Sequence, residues 1–409
     1  MKIRYILSSV ALASLSLTSC SDLDTAPEGN IITSDKKGEI LEEMPERGLA
    51  GVRAIFQGLS AYEPNYEAFG KIERHNDIGY PSVLMFTDAN TEDVVSDPNG
   101  YNWNGNSLDY SDRTYTSYES QMVWNDHYNA IYVANTVIKG YNTGEDPTNE
   151  EARFFYAQGL AARAYFYFNL AQLYQFTYKD NETKPCIPVV TDENTAKSQV
   201  EGTPCSTVEE TYTQIKSDID HAITLLEGTS YEREDKRYIS LAVAYGIRAR
   251  VNLVMQKWAD AASDAQKAID AAAAEGVTPA GIDDVKLPTF AKSTEKDWMW
   301  GILVAESDEV VQSGIVNWIS HCGTFNYGYG QYSKGRQINK KLYNKIPATD
   351  VRKGWWSGED KLNHFLPDKY NTYLKAKGFP AYTNCKFGTY DGTIGCNTNA
   401  NDIVLMRVE

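Results

Sequence analysis

The sequence predicts a mostly α-helical scaffold of paired helices with a loop-rich, irregular region packed against it. Three observations carry that reading. Long stretches between residues 119 and 275 place apolar side chains at three- and four-residue spacing. Two of those stretches are joined by a very short turn and carry alanines at helix-pair offsets. Beyond Gly276 the character changes to Gly, Asn, Tyr and Trp with few long periodic runs.

Helical patterns dominate from about Ile40. The segment 119–141 puts Met122, Trp124, Tyr128, Ile131, Ala134 or Asn135, and Ile138 at helical spacing. Thr148 or Asn149 caps a second helix over 150–175, with Glu150 and Glu151 in its first turn and Phe154, Ala157, Ala161, Ala164, Tyr165 and Phe168 along one face. Pro185 and Pro188 end anything helical soon afterwards. A third helix runs from about Thr207 to Leu226, started by Ser206 or Thr207 with Glu209 and Glu210. Helices over 239–256 and 258–275 follow, and Ala261, Ala265 and Ala268 let them approach closely. This is the pattern of a tetratricopeptide hairpin. The pair 119–141 and 150–175 looks like a degenerate copy.

The N-terminus is of another kind. Lys2 and Arg4 precede an apolar core from Tyr5 to Leu17, too short for a span of roughly 20 residues. It fits a secretory signal over 1–19. Leu17-Thr18-Ser19-Cys20 resembles a bacterial lipobox, which makes Cys20 the lipidated first residue of a tether over 20–39 that runs extended. The scaffold then divides at about 275, into 40–275 and 276–409.

The 42% hydrophobic content supports a substantial core. The chain has 39 basic and 55 acidic residues, and loss of Lys2 and Arg4 with the signal moves its charge from −16 to −18. Phosphate backbones repel such a chain, which excludes nucleic acid as the expected partner. Apart from Cys20, five cysteines remain without a C-x-x-C. Cys385 could reach Cys396 and Cys186 could reach Cys205, but buried free thiols are the favoured state.

The chain as a whole resembles the SusD/RagB family, surface lipoproteins of Bacteroidetes that bind nutrients. The resemblance rests on Cys20 followed by Leu23-Asp24 and Pro27, then Trp124, Tyr128, Ile131, Ala134 and Asn135. It continues through Glu151-Ala152-Arg153, Arg163-Ala164-Tyr165-Phe166, Leu170 and Pro185 to Val189. The helix 207–226, the tetratricopeptide hairpin, Thr349-Asp350 with Arg352, and the final NDIVLMRVE complete it. It implies a SusD-like fold, location at the outer membrane, a glycan ligand and a SusC-like TonB-dependent transporter as partner. Ser21-Asp22 and Asp24 are similar to an acidic export signal of such surface lipoproteins. In the family a stretch like 402–407 leads into a further repeat helix, so the resemblance implies a missing last helix and a truncated C-terminal region. Gln175-Phe176-Thr177-Tyr178 also departs from the family, which usually turns there through glycine.

Neutral sugars present C–H faces and hydroxyls, which aromatic rings flanked by amides can bind. Two stretches have that composition. Residues 97–118 interleave Tyr101, Trp103, Tyr110 and Tyr115 with Asn99, Asn102, Asn104 and Asn106, and 317–336 carry Trp318, Phe325, Tyr327, Tyr329 and Tyr332. They occupy positions matching the family's glycan platform. The expected ligand-binding residues are Tyr101, Asn102, Trp103, Asn104, Trp318, Tyr327 and Tyr329. Trp298, Trp300, Trp355 and Trp356 are expected in core or interface packing. Two other classes compete. A glycosidase needs two carboxylates ~5–9 Å apart, which 55 acids supply without proving anything. An oligopeptide receptor would use a deep cavity of mixed polarity. No catalytic motif or metal-ligand spacing occurs among the five histidines, and no cofactor is expected.

Overall fold

The structure, a computed structural model, describes residues 34–60, 75–95, 103–312 and 317–409. Cys20 and the signal lie outside these residues. The described chain begins with α1 (Ser34–Glu43) and α2 (Leu49–Gln57). The last residues of the expected extended tether are therefore helical. Packing holds them there: a Cβ on Gly140 would lie 2.9 Å from Leu41 Cδ1, so α1 lies close over the helix that carries Gly140.

After α3 (Tyr80–Ala89) come the long helices α4 (Tyr118–Tyr141) and α5 (Glu150–Tyr174). Ser117 Oγ accepts from Ser120 N at 3.1 Å to cap α4. Asn149 Oδ1 accepts from Glu151 N at 2.9 Å and Ala152 N at 3.2 Å to cap α5. Residues Phe154 to Phe168 of α5 are buried without interruption, so the helix is sheathed all round and the expected apolar face is only part of its contact.

Short α6 (Thr195–Glu201) precedes α7 (Val208–Glu227), which opens on a capping box. Thr207 N donates to Glu210 Oε2 at 2.7 Å and Glu210 N to Thr207 Oγ1 at 3.1 Å. Helices α8 (Leu241–Val254) and α9 (Trp258–Ala274) form the hairpin expected from the sequence. Gln256 makes the tight turn at φ 59°. The seam differs from the expected one: Ala261, Asp264, Ala268 and Ala272 face inward, while Ala265 is exposed. Asp264 is accepted there because Arg248 meets it twice, at 2.6 and 2.8 Å, and Asn252 Nδ2 donates to it at 2.9 Å.

A buried polar knot ties the repeats together. Arg163 on α5 donates to Asp218 on α7 at 2.7 and 2.8 Å, to Asp192 at 2.8 Å and to Asn135 on α4 at 2.8 Å. Burial alone would pull the guanidinium down, yet the two carboxylates hold its pKa above the ordinary value.

The region after α9 is irregular. Strand β1 (Trp298–Ile302) pairs antiparallel with β2 (Ile403–Arg407), Trp300 opposite Met406 and Ile302 opposite Ile403. Residues 403–407, the stretch that in the family leads into a further helix, are themselves a strand here. Trp298 and Trp300 are core residues, as expected. A smaller core gathers Phe325, Leu366, Leu374, Phe379 and Cys385. All five described cysteines are free, so neither bridge weighed from the sequence forms. Burial raises the Cys385 thiol to about 12, which keeps it protonated. Among the described residues no helix is long and apolar enough to cross a membrane.

Candidate functional site

Segments far apart in the chain converge around His75-Asn76-Asp77, the approach to α3. Gly79 turns this approach into α3 at φ 81°, a conformation few side chains tolerate. Asn76 is buried and its Nδ2 donates to the Trp103 carbonyl at 2.9 Å, which fixes the tryptophan's backbone. The His75 ring lies against the Trp103 indole with centroids 4.8 Å apart and planes at 37°.

Tyr329 comes from the other candidate stretch and packs edge-on to Trp103 at 5.8 Å. Its hydroxyl shares a hydrogen bond with His75 Nδ1. His321 stacks on Tyr329 at 4.9 Å and donates from Nε2 to the His75 carbonyl at 2.7 Å. Burial raises the Tyr329 phenol above its ordinary range, so it stays neutral. The result is an indole that is 38% exposed yet braced from behind by an imidazole and a phenol.

The segment bearing Tyr329 gets its shape from glycine. A Cβ on Gly328 would lie 2.1 Å from Ser320 Oγ and 2.9 Å from Ser320 Cα, and one on Gly330 would meet three backbone carbonyls at 2.9 to 3.2 Å. Only bare backbone can lie this close to the 318–322 turn. On the same segment Tyr327 and Tyr332 point outward, 41% and 44% exposed. Their rings meet edge-on at 5.8 Å, and the Tyr332 hydroxyl donates to Tyr327's at 3.2 Å.

The expected residues thus fall into three groups. Trp103 and Tyr327 are exposed; Tyr329 and Asn104 are buried, Tyr329 directly beneath Trp103. Trp318 is also buried: its indole N–H donates to the Asn401 carbonyl at 2.9 Å and its ring meets Phe387 edge-on at 5.1 Å. It holds the irregular region together and has no place on an exposed ledge. Tyr101 and Asn102 lie outside the described residues. Sequence reasoning missed His75, which sits 254 positions from its tyrosine partner and carries no local signal. Tyr110, named in the first candidate stretch but not among the expected ligand residues, is exposed, with the Arg113 guanidinium 4.0 Å from its ring centroid.

Residues 79–253 match the family model SusD-like, described as starch-binding associating with outer membrane. No curated protein sequence matches the chain. Among solved structures, a SusD-like carbohydrate binding protein from Bacteroides vulgatus superposes with a TM-score of 0.68 at 21% identity, over 89% of this chain and 68% of that one. A SusD superfamily protein from Bacteroides thetaiotaomicron gives 0.59 at 16% identity, over 89% and 73%. A laminarin binding SusD-like protein gives 0.58 at 16% identity, over 89% and 77%. The match to the SusD-like family model thus spans residues 79–253, and the described chain has the SusD-like fold.

Proposed function

We propose that this chain captures oligosaccharide at the bacterial cell surface, anchored in the outer membrane through Cys20, and passes it to a SusC-like TonB-dependent transporter. The observation that carries the reading is the braced, partly open Trp103 indole between His75 and Tyr329. A sugar ring presents a C–H face that packs on such a plane, and a side chain already held by its neighbours loses little freedom on binding. The Tyr327 and Tyr332 pair supplies further rings and hydroxyls on the adjoining segment. Tyr101 and Asn102 belong to the same proposed surface. The names of the SusD-like structures, one of which binds laminarin, support a glycan over other ligands.

Weak capture suffices for this role, because tethering beside a transporter raises effective concentration. The proposal expects Trp103→Ala to abolish retardation in glycan affinity gels while the melting temperature stays near the parent's. Retardation equal to the parent's across every glycan it binds would refute the ledge. Sustained release of reducing sugar would favour a glycosidase instead, and selective retention of a peptide library would favour an oligopeptide receptor.

A further inference from the structure

Next to the ledge lies a cavity of about 280 Å³, lined in part by Asn104, the residue after Trp103. Its frame is stiff. Gln337 bridges Val95 on one side and Thr383 on the other, and Trp356 bridges Asn384. Asn384 N donates to the Arg336 carbonyl at 2.6 Å and Cys385 N to the Trp355 carbonyl at 2.7 Å. Trp355 and Trp356 give the cavity aromatic walls.

Its charges are arranged unusually. Lys386 is half-buried, with its ammonium 5.0 Å from the Phe290 ring centroid, 5.5 Å from Trp355 and 4.9 Å from Phe387. Among the described residues that ammonium makes no ion pair and no hydrogen bond; it is held against three rings instead. Burial draws its pKa below the ordinary lysine value, with Asp88 opposing the drop from beyond ion-pair distance. The two acids of the cavity, Asp88 and Asp93, stand exposed at its edge.

We infer that this cavity seats one carboxylated sugar residue of the bound glycan, a uronate or a sugar acid of that class. The sugar carboxylate lies against Lys386 Nζ, and its ring faces the walls of Trp355 and Trp356. Hydroxyls donate to Asp88 and Asp93, which as carboxylates are pure acceptors. A neutral sugar would offer Lys386 only hydroxyl oxygens. A carboxylate offers a charge-assisted bond, about twice as strong, to a cation that among the described residues has only ring faces and no ion-pair partner against it. The volume lies near the lower end of small-molecule sites, roughly 300–1,000 Å³, so it suits one ring and not an oligomer. The inference rests on the glycan reading of the ledge: Trp103 holds the neighbouring sugar while the cavity reads the acidic one.

The test titrates the full mature chain with galacturonate and glucuronate oligomers and with their neutral galactose and glucose counterparts. Preference for an acidic oligomer is expected. Lys386→Met, which keeps the length and removes the charge, is expected to lower that affinity roughly tenfold or more without changing neutral binding. Lys386→Arg is expected to retain most of the preference, and both variants should melt near the parent. Equal binding of acidic and neutral oligomers, or an unaffected Lys386→Met, would overturn the inference. So would Lys386-dependent binding of a free amino acid or dipeptide. Neutral glycan held through Trp103 with no preference for uronate would sink this inference and leave the ledge standing; no binding of either kind would sink both.

Discussion

Gly328 shows how much one missing side chain decides here. A methyl group at this position would collide with the Ser320 side chain at 2.1 to 2.7 Å and with its Cα at 2.9 Å. The segment would have to lift from the 318–322 turn, carrying Tyr329 away from Trp103 and Tyr327 away from Tyr332. Gly328→Ala is expected to cost about 1–3 kcal/mol in chemical denaturation and to weaken glycan retardation with it. Intact binding with unchanged stability would show that the ledge does not depend on this contact. The composition of NYGYGQY marked the stretch as a candidate, since alternating tyrosine and glycine favours close backbone approach and exposed rings. Which rings would be exposed was not legible. Tyr327 and Tyr329 are two residues apart with the same chemistry, and only the positions of His75 and Trp103 sort one inward and the other outward.

Among the elements, the helices were the most legible because their signals are local. The caps expected at Asn149 and Thr207 sit where side-chain oxygens precede apolar periodic runs, and the structure forms both; Ser117, which caps α4, was not read from the sequence. Arg163 was legible only as part of a family-like motif, since its partners come from α4, α7 and the loop at Asp192. Its buried knot has a measurable consequence. Arg163→Met leaves two buried carboxylates, Asp192 and Asp218, without their shared cation and is expected to lose about 3–5 kcal/mol. Urea denaturation followed by circular dichroism checks this, and a loss below about 1 kcal/mol would mean the knot contributes register and little stability. The hairpin of α8 and α9 shows the same dependence on distant partners. Alanine spacing identified the pair but misassigned Ala265, because an acid at 264 is read as surface until Arg248 and Asn252 are known to meet it.

At the scale of the whole molecule, the repeats and the irregular region share one core. Trp300, Ile302, Ile403 and Met406 belong to the same buried cluster as Phe166 and Ile247. The contact is close: a Cβ on Gly246 of α8 would lie 2.4 Å from Met406 Sδ. One cooperative calorimetric transition is therefore expected, and Met406→Asp, which puts an unpaired charge into that seam, should lower stability by at least about 3 kcal/mol. Two separate transitions in the parent would contradict the shared core.

The sequence by itself determined where the helices start and pair, where regular structure gives way to loops, and which two stretches are rich enough in rings to hold a sugar. Those features depend on neighbours within a few residues, or on composition, and are written locally. Only the tertiary structure decided that Trp103 is braced by His75 and Tyr329, that Trp318 is internal, and that Lys386 faces a cavity framed by rings. Each depends on atoms brought together from segments tens to hundreds of residues apart, and exposure is a property of what covers a side chain, not of the side chain itself.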